Sequence, residues 1–401
     1  MVARRLPRPS ELAPLLRLRP REPNATARRL ARAHSIDDLR TIALRRTPRP
    51  VFDYVDGGAD SEISMRHART AFDAVRFQPK VLRDVSEVDT GTTILGKPAA
   101  LPLVFGPTGF TRMMQHEGER AVGAVAERAG IPYALATMGT TTIEDLAAHA
   151  PAGRRWFQLY LWQDRERSKG FIDRAAAAGY DTLIMTVDVP TVGKHHRSLR
   201  SGLTIPPTLS LSTLANMARY PHWWLNVLTT EPLRFASSGE GAGYGKNVRM
   251  IDPGATFADL EWLRSHWPGT LLVKGTLRPD DARRVVDCGA DGVIVSSHGG
   301  RQLDRTPAPI EVLPAMVAEV GDDAAVFLDG GVRNGGDLAA ALCLGAQACF
   351  VGRPYLYGLM AGGERGVQRA LEIFTTEFER TMRLLGVTTV GELDETLIRA
   401  H

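Results

Sequence analysis

Residues 296–304 read Ser-Ser-His-Gly-Gly-Arg-Gln-Leu-Asp. Histidine, here His298, is the residue type suited to act as a general base, and Arg301, three residues on, is a permanent, fork-shaped cation. A base beside such a cation suits a substrate that carries an acidic proton and a carboxylate. Three further positions hold chemistry that a core would not choose. Lys274 ends the apolar run Leu271–Lys274, and a lysine buried there is costly unless an anion faces it. Asp188, in Thr186-Val-Asp-Val-Pro190, is the kind of carboxylate that fixes a histidine tautomer and stabilises an imidazolium; as a bland alternative it caps a loop before proline. Asp329-Gly-Gly-Val-Arg333 and Gly352-Arg353 combine glycines that admit close backbone approach with arginine charge, which suits a phosphate.

These groups need a frame, and the chain has a rhythm that supplies one. From about residue 100, short apolar runs with Gly- or Thr-rich ends alternate with amphipathic helical patterns. The runs are Leu101–Gly106, Tyr133–Thr137, Trp156–Tyr160, Thr182–Val187, Leu271–Lys274, Gly292–Ser296, Ala325–Asp329 and Ala348–Gly352. Eight alternating units predict a closed (β/α)₈ (TIM) barrel rather than an open sheet. Chemistry in such barrels sits at the C-terminal strand ends, and the residues above fall there. Before the barrel, Ser35 caps a helix to Arg46, Pro48 and Pro50 stop it, and a further helix runs to about Phe72.

The 401 residues carry a net charge of +4 with an uneven distribution. Residues 1–50 hold thirteen arginines and four acidic residues, a balance of +9 that leaves −5 for the rest. Residues 1–34 therefore read as an Arg-rich, solvated and partly mobile leader, and 35–401 as one barrel domain. Residues 205–256 form a long, lid-like insertion after strand 4, with Pro221-His-Trp-Trp-Leu225 and a Gly-rich stretch from Ser237 to Gly245. Its aromatics are expected to pack over the barrel or line its pocket, with interfacial anchoring as the alternative. No secretory signal or membrane-spanning run is evident. Cys288, Cys343 and Cys349 show no metal spacing and read as thiols in a reducing compartment. A cytoplasmic protein is the expectation, with peripheral contact to the inner membrane through the insertion allowed and no nucleic-acid partner.

The Ser296–Asp304 stretch closely resembles the active-site signature of the FMN-dependent α-hydroxy-acid oxidases and dehydrogenases, the family of glycolate oxidase, lactate oxidase and mandelate dehydrogenase. Ser297 stands where that family usually has asparagine. The resemblance spans roughly residues 35–395 and implies FMN as cofactor and a small 2-hydroxy acid as substrate. It implies His298 as base supported by Asp188, Arg301 and Tyr54 on the substrate carboxylate, and Tyr160 at the substrate hydroxyl. Lys274 is implied at the reduced flavin's N1/O2, and Pro107, Thr108 and Gly109 along its reactive edge. Gln158, Thr186 and Ser296 complete the ring contacts. Asp329, Gly330, Gly331, Arg333, Gly352 and Arg353 are implied around the ribityl phosphate. A homotetramer also follows from the resemblance. The second electron acceptor, whether oxygen, quinone or a separate carrier, is left open, as is the choice between carbanion and hydride routes.

The chain departs from that pattern at three places. Gly109 stands where glycolate oxidase has alanine and mandelate dehydrogenase glycine, which inclines the reading to a dehydrogenase with room beside the flavin. Met138 stands where relatives place Ser or Trp in the pocket wall. The family's Gly-X-Arg becomes Gly193-Lys-His195, so a histidine replaces a carboxylate-binding arginine. Compensation by Lys194 or Arg197 is one reading; a non-carboxylate or peptide-derived substrate is another. A flavin barrel of the isopentenyl diphosphate isomerase kind and a non-catalytic flavin-binding scaffold are the remaining alternatives. The base, its carboxylate and Lys274 weigh against the scaffold.

Overall fold

The structure, a computed structural model, describes residues 5–12, 22–202, 218–231 and 251–399. Eight parallel strands close into a barrel: β1 (Leu103–Phe105), β2 (Tyr133–Ala136), β3 (Arg155–Leu159), β4 (Thr182–Thr186), β5 (Thr270–Thr276), β6 (Gly292–Ser296), β7 (Ala325–Asp329) and β8 (Ala348–Val351), with β8 pairing back to β1. The expected runs match these strands, and β5 continues through Gly275 to Thr276 with a register shift there. The barrel interior is filled by Val104, Ala134, Trp156, Ile184, Leu272, Ile294, Phe327, Ala348 and Phe350. Trp156 and Phe350 lie with ring centroids 5.7 Å apart, and Phe327 meets Phe350 edge-on.

A small hairpin, Thr92–Ile94 with Lys97–Ala99, puts Ile94 and Ala99 into the same interior cluster. Gln347 and Arg154, which precede β8 and β3, hydrogen-bond the backbone of Leu95 and Ile94. The N-terminal mouth is therefore plugged, and the C-terminal mouth is left for the site.

From residue 36, three helices lead into the barrel. α1 (Ile36–Arg46) starts at the Ser35 cap with Asp38 closing a capping box. Pro48 and Pro50 do end it, but they also open α2 (Arg49–Asp56), because proline suits a first helical turn. α3 (Ile63–Ala74) follows. Residues before 35 also pack against the domain. Ala25–Leu30 is a helix capped by Asn24, Leu30 and Ala33 are buried, and Arg29 donates to the Ala361 carbonyl. An apolar residue every few positions gave Leu30 and Ala33 a face to bury despite the surrounding arginines.

Of the insertion, residues 203–217 and 232–250 lie outside the described residues, and the Gly-rich stretch falls there. Pro221–Thr229 is a helix whose Trp223 is buried and donates from Nε1 to the Met113 carbonyl, as expected of an aromatic packed over the barrel. Residues 251 and 252 already belong to the barrel wall, with Ile251 bridging Trp162 and the Asp252 amide bonded to Leu161. Among the described residues no helix is long and apolar enough to cross a membrane.

Candidate active site

The turn after β6 carries the base. His298, Gly299 and Gly300 all adopt left-handed backbone, with φ of 55°, 63° and 70°. Two glycines tolerate this at no steric cost; His298 does so under strain, as residues held at functional sites do. A Cβ at Gly300 would lie 2.7 Å from the Met65 amide nitrogen, so the turn also needs glycine to pass α3. His298 Nδ1 lies 2.8 Å from Asp188 Oδ1. A carboxylate accepts, so Nδ1 holds a proton, and in the neutral form of the ring Nε2 presents the lone pair. Tyr160 Oη stands 3.4 Å from that Nε2.

Burial pushes the Asp188 carboxyl up, but His298, with Lys274 behind it, outweighs burial and keeps it below its usual range. Burial, reinforced by Asp188, raises the Tyr160 phenol, which stays a proton donor at neutral pH. Burial likewise raises Tyr54. Tyr54 lies under the Arg301 guanidinium, 4.9 Å from ring centroid to cation, and edge-on to Phe110. Arg301 Nη1 is spent on the Tyr54 and Gly57 carbonyls, which fixes the fork while its other nitrogens remain for a ligand.

Lys274 is buried, 2.9 Å from Ser296 Oγ and 2.9 Å from Asp329 Oδ2. Burial lowers its pKa, but Asp329 and Asp188 more than restore it, so the ammonium stays charged. An ammonium has three donors, and the third is free for an acceptor above the barrel axis. Ser296 Oγ donates to Asp329 and accepts from the His298 amide, tying base to lysine. Gln158 donates to Thr186 Oγ1 beside this group. The Asp329 carboxylate thus faces Lys274 rather than a phosphate.

Around the β7 and β8 loops, Arg333 has a buried Nη1 without a hydrogen-bond partner in the described structure. A Cβ at Gly331 would press on the Phe72 ring at 2.8 Å, and Gly352 caps the helix Arg353–Gly362. Unpaired guanidinium donor, glycine cradle and helix N-terminus together suit a phosphate. The Arg353 side chain is a strut instead: Nε, Nη1 and Nη2 donate to the carbonyls of Val55, Gly299 and Gly57.

Tyr54, Pro107, Thr108, Gly109, Met138, Gln158, Tyr160, Thr186, His195, Lys274, His298, Arg301, Asp329, Gly330, Gly331, Arg333, Gly352 and Arg353 border one continuous cleft. Buried lysine, unpaired guanidinium donor and glycine-rich loops in one cleft have the chemistry to hold flavin mononucleotide. A family model described as FMN-dependent dehydrogenase matches residues 43–400. The chain belongs to the FMN-dependent dehydrogenase family. It is an FMN-dependent 2-hydroxy-acid dehydrogenase or oxidase by class. A putative L-lactate dehydrogenase of Mycobacterium tuberculosis is 51% identical over 394 residues, covering 98% of this chain and 95% of that protein. The 2-hydroxyacid oxidase 1 of Homo sapiens is 38% identical over 373 residues, covering 93% and 98%. The solved structure of a monotopic membrane protein, (S)-mandelate dehydrogenase, superposes with a TM-score of 0.89 at 37% identity, covering 92% of this chain and all of that one.

One feature of this family member escaped sequence reasoning, and two readings of the sequence are corrected. Gly275, with φ of 111°, leaves room for Asp188: a Cβ there would lie 2.7 Å from the aspartate's Cβ and Cγ. A glycine inside a strand does signal such an approach, but not its partner. Gly109 leaves no open space either, since a Cβ there would lie 3.1 Å from Met138 Cβ and its carbonyl oxygen. Arg197 does not compensate for His195, because it is ion-paired with Asp56 at 2.5 Å and with Glu62. Lys194 points to solvent, its carbonyl accepting from the Asp60 amide.

Proposed function

We propose that this protein oxidises an L-2-hydroxy acid of the lactate or mandelate type to the 2-keto acid, with His298 as the base. The observation that carries the reading is the Asp188–His298 pair, which orients the imidazole so that Nε2 of the neutral ring is the acceptor in a cleft that Arg301 also borders. Bound FMN supplies the two-electron acceptor. Arg301 and Tyr54 bind the carboxylate, the first by charge and the second by its phenolic proton. Tyr160 orients the hydroxyl group and shares its proton with His298. Asp188 stabilises the imidazolium that forms when His298 takes a proton from the carbinol unit. Lys274 would hold bound FMN by its positive charge, which would stabilise the negative charge that reduction adds.

The same reading includes a cytoplasmic setting, with which the free thiols Cys288, Cys343 and Cys349 agree, and a homo-oligomer. It also includes membrane contact through the outward face of the Pro221–Thr229 helix.

The test is anaerobic mixing of the yellow holoenzyme with a panel of L-2-hydroxy acids while flavin absorbance is followed. One or more acids should bleach it, and His298→Gln should retain the flavin while bleaching slows about 10²- to 10⁴-fold. Admitting oxygen, a quinone or a protein carrier to the bleached sample then identifies the second acceptor. A colourless preparation that FMN does not reconstitute overturns the reading.

A further inference from the structure

We propose that His195 is a specificity-determining residue that offers a lone pair to the carboxyl end of the substrate, so that the cleft accepts neutral 2-hydroxy carboxamides at least as readily as 2-hydroxy acids. The proposal rests on the oxidation read above and deepens it by naming a second substrate class.

The geometry begins at the loop after β4. His195 Nε2 lies 2.9 Å from the Arg301 carbonyl oxygen. A carbonyl only accepts, so Nε2 bears the hydrogen and Nδ1 of the neutral ring is an acceptor. The ring stays neutral: burial, with the Arg301 charge adding to it, holds its pKa down at about 4. The charged and titratable groups that face it are Arg301 and His298 from the loop after β6 and Arg353 from the β8 side. Its own loop adds Lys194, His196 and Arg197, the last of which is spent on Asp56 and Glu62.

The loop that carries the ring is anchored. The Gly193 amide donates to Gln302 Oε1 at 2.8 Å, and a Cβ on Gly193 would collide with the Arg301 carbonyl oxygen. Arg197 pins the next turn to α2 and to Glu62. His195 borders the cleft together with Tyr54, Arg301 and His298. The polar end of a bound substrate therefore meets two kinds of group. Arg301 and Tyr54 donate hydrogen bonds, and His195 Nδ1 accepts one. A carboxylate satisfies the donors and sets an oxygen lone pair against the imidazole lone pair. A carboxamide satisfies both, its C=O on Arg301 and Tyr54 and its N–H on Nδ1.

Oxidation of the amide has the same balance as that of the acid. The carbinol C–H and O–H bonds break and a C=O bond forms. One proton goes to His298, and the other proton with two electrons goes to the bound flavin.

The experiment compares (S)-lactate with (S)-lactamide and (S)-mandelate with (S)-mandelamide on the holoenzyme, reading kcat/KM from anaerobic flavin bleaching. The wild-type ratio of amide to acid should be one or higher for at least one pair. His195→Arg should lower it about tenfold or more, since a donor replaces the acceptor. A second measurement needs no turnover and no variant: phenylglyoxylate and phenylglyoxylamide, which cannot reduce the flavin, are titrated into wild-type holoenzyme, and the amide should bind more tightly. Bleaching by acids but not amides, or an unchanged ratio in His195→Arg, overturns the proposal. If neither class bleaches the flavin, the oxidation itself is refuted, and the non-reducing pair still decides His195: equal or weaker binding of the amide overturns its role.

Discussion

Asp188 holds His298 in one tautomer only while its own position is held, and Gly275 is what holds it. Gly275→Ala puts a methyl 2.7 Å from Asp188 Cβ and Cγ at a backbone angle that alanine resists. The carboxylate must move, and a shift of about 1 Å in a catalytic group costs about 10²-fold in rate. Flavin reduction should therefore slow by about that factor in stopped-flow traces while the protein stays yellow; a rate within twofold of wild type would show that Asp188 has slack. His298, Arg301, Asp188 and Lys274 were legible in the sequence because each is the wrong residue for a core at the end of an apolar strand. Gly275 and Asp188 stand 87 positions apart, and nothing in a sequence marks which side chain a glycine makes room for. Met138 and Gly109 make the same point: each was singled out, but their mutual contact, which fills the space beside the loop, was not.

At the scale of elements, the pocket is assembled by a buried ionic group that joins α1, α2 and the loop after β4. Asp56 on α2 receives Arg40 of α1 at 2.5 and 2.8 Å, Arg197 at 2.5 Å and the Tyr357 hydroxyl at 2.8 Å. Burial raises the Asp56 carboxyl, but Arg40, Tyr357 and Arg197 together hold it at about 2. The folded value lies below the ordinary one, so the stabilisation is fully present above about pH 4 and is lost as pH falls through about 2. Asp56→Asn should destabilise the protein by about 1–3 kcal/mol in chemical denaturation at pH 7, the two arginines being partly solvated. The same variant should lose part of the stability change between pH 4 and 2; an acid limb identical to wild type would place that change elsewhere. The helix α1 and its Ser35 cap were readable from periodicity. The role of α2 was not, because Asp56 looks in sequence like an ordinary surface charge and Arg197 was weighed only as a stand-in for the family's arginine.

At the scale of the whole molecule, closure of the barrel and the plugged N-terminal mouth leave one open end, and the Pro221–Thr229 helix lies beside it. Trp223 faces inward, which leaves Leu225 at 59% and Leu228 at 71% exposure on the outward face. Two leucines one helical turn apart on a solvent-facing side are the arrangement of an interfacial helix. The structurally similar (S)-mandelate dehydrogenase is described as a monotopic membrane protein, and contact at this rim would bring a lipid-soluble acceptor to the mouth that admits the substrate. The expected outcome is co-sedimentation of the holoenzyme with vesicles of mixed phosphatidylethanolamine and phosphatidylglycerol, reduced several-fold in a Leu225→Ser, Leu228→Ser double variant. Anaerobic flavin reduction, which takes place below the rim, should be unchanged in that variant. Equal sedimentation of wild type and double variant would mean that the leucines face another part of the insertion or a second protomer, and the mass of the assembly in solution would then tell these two apart.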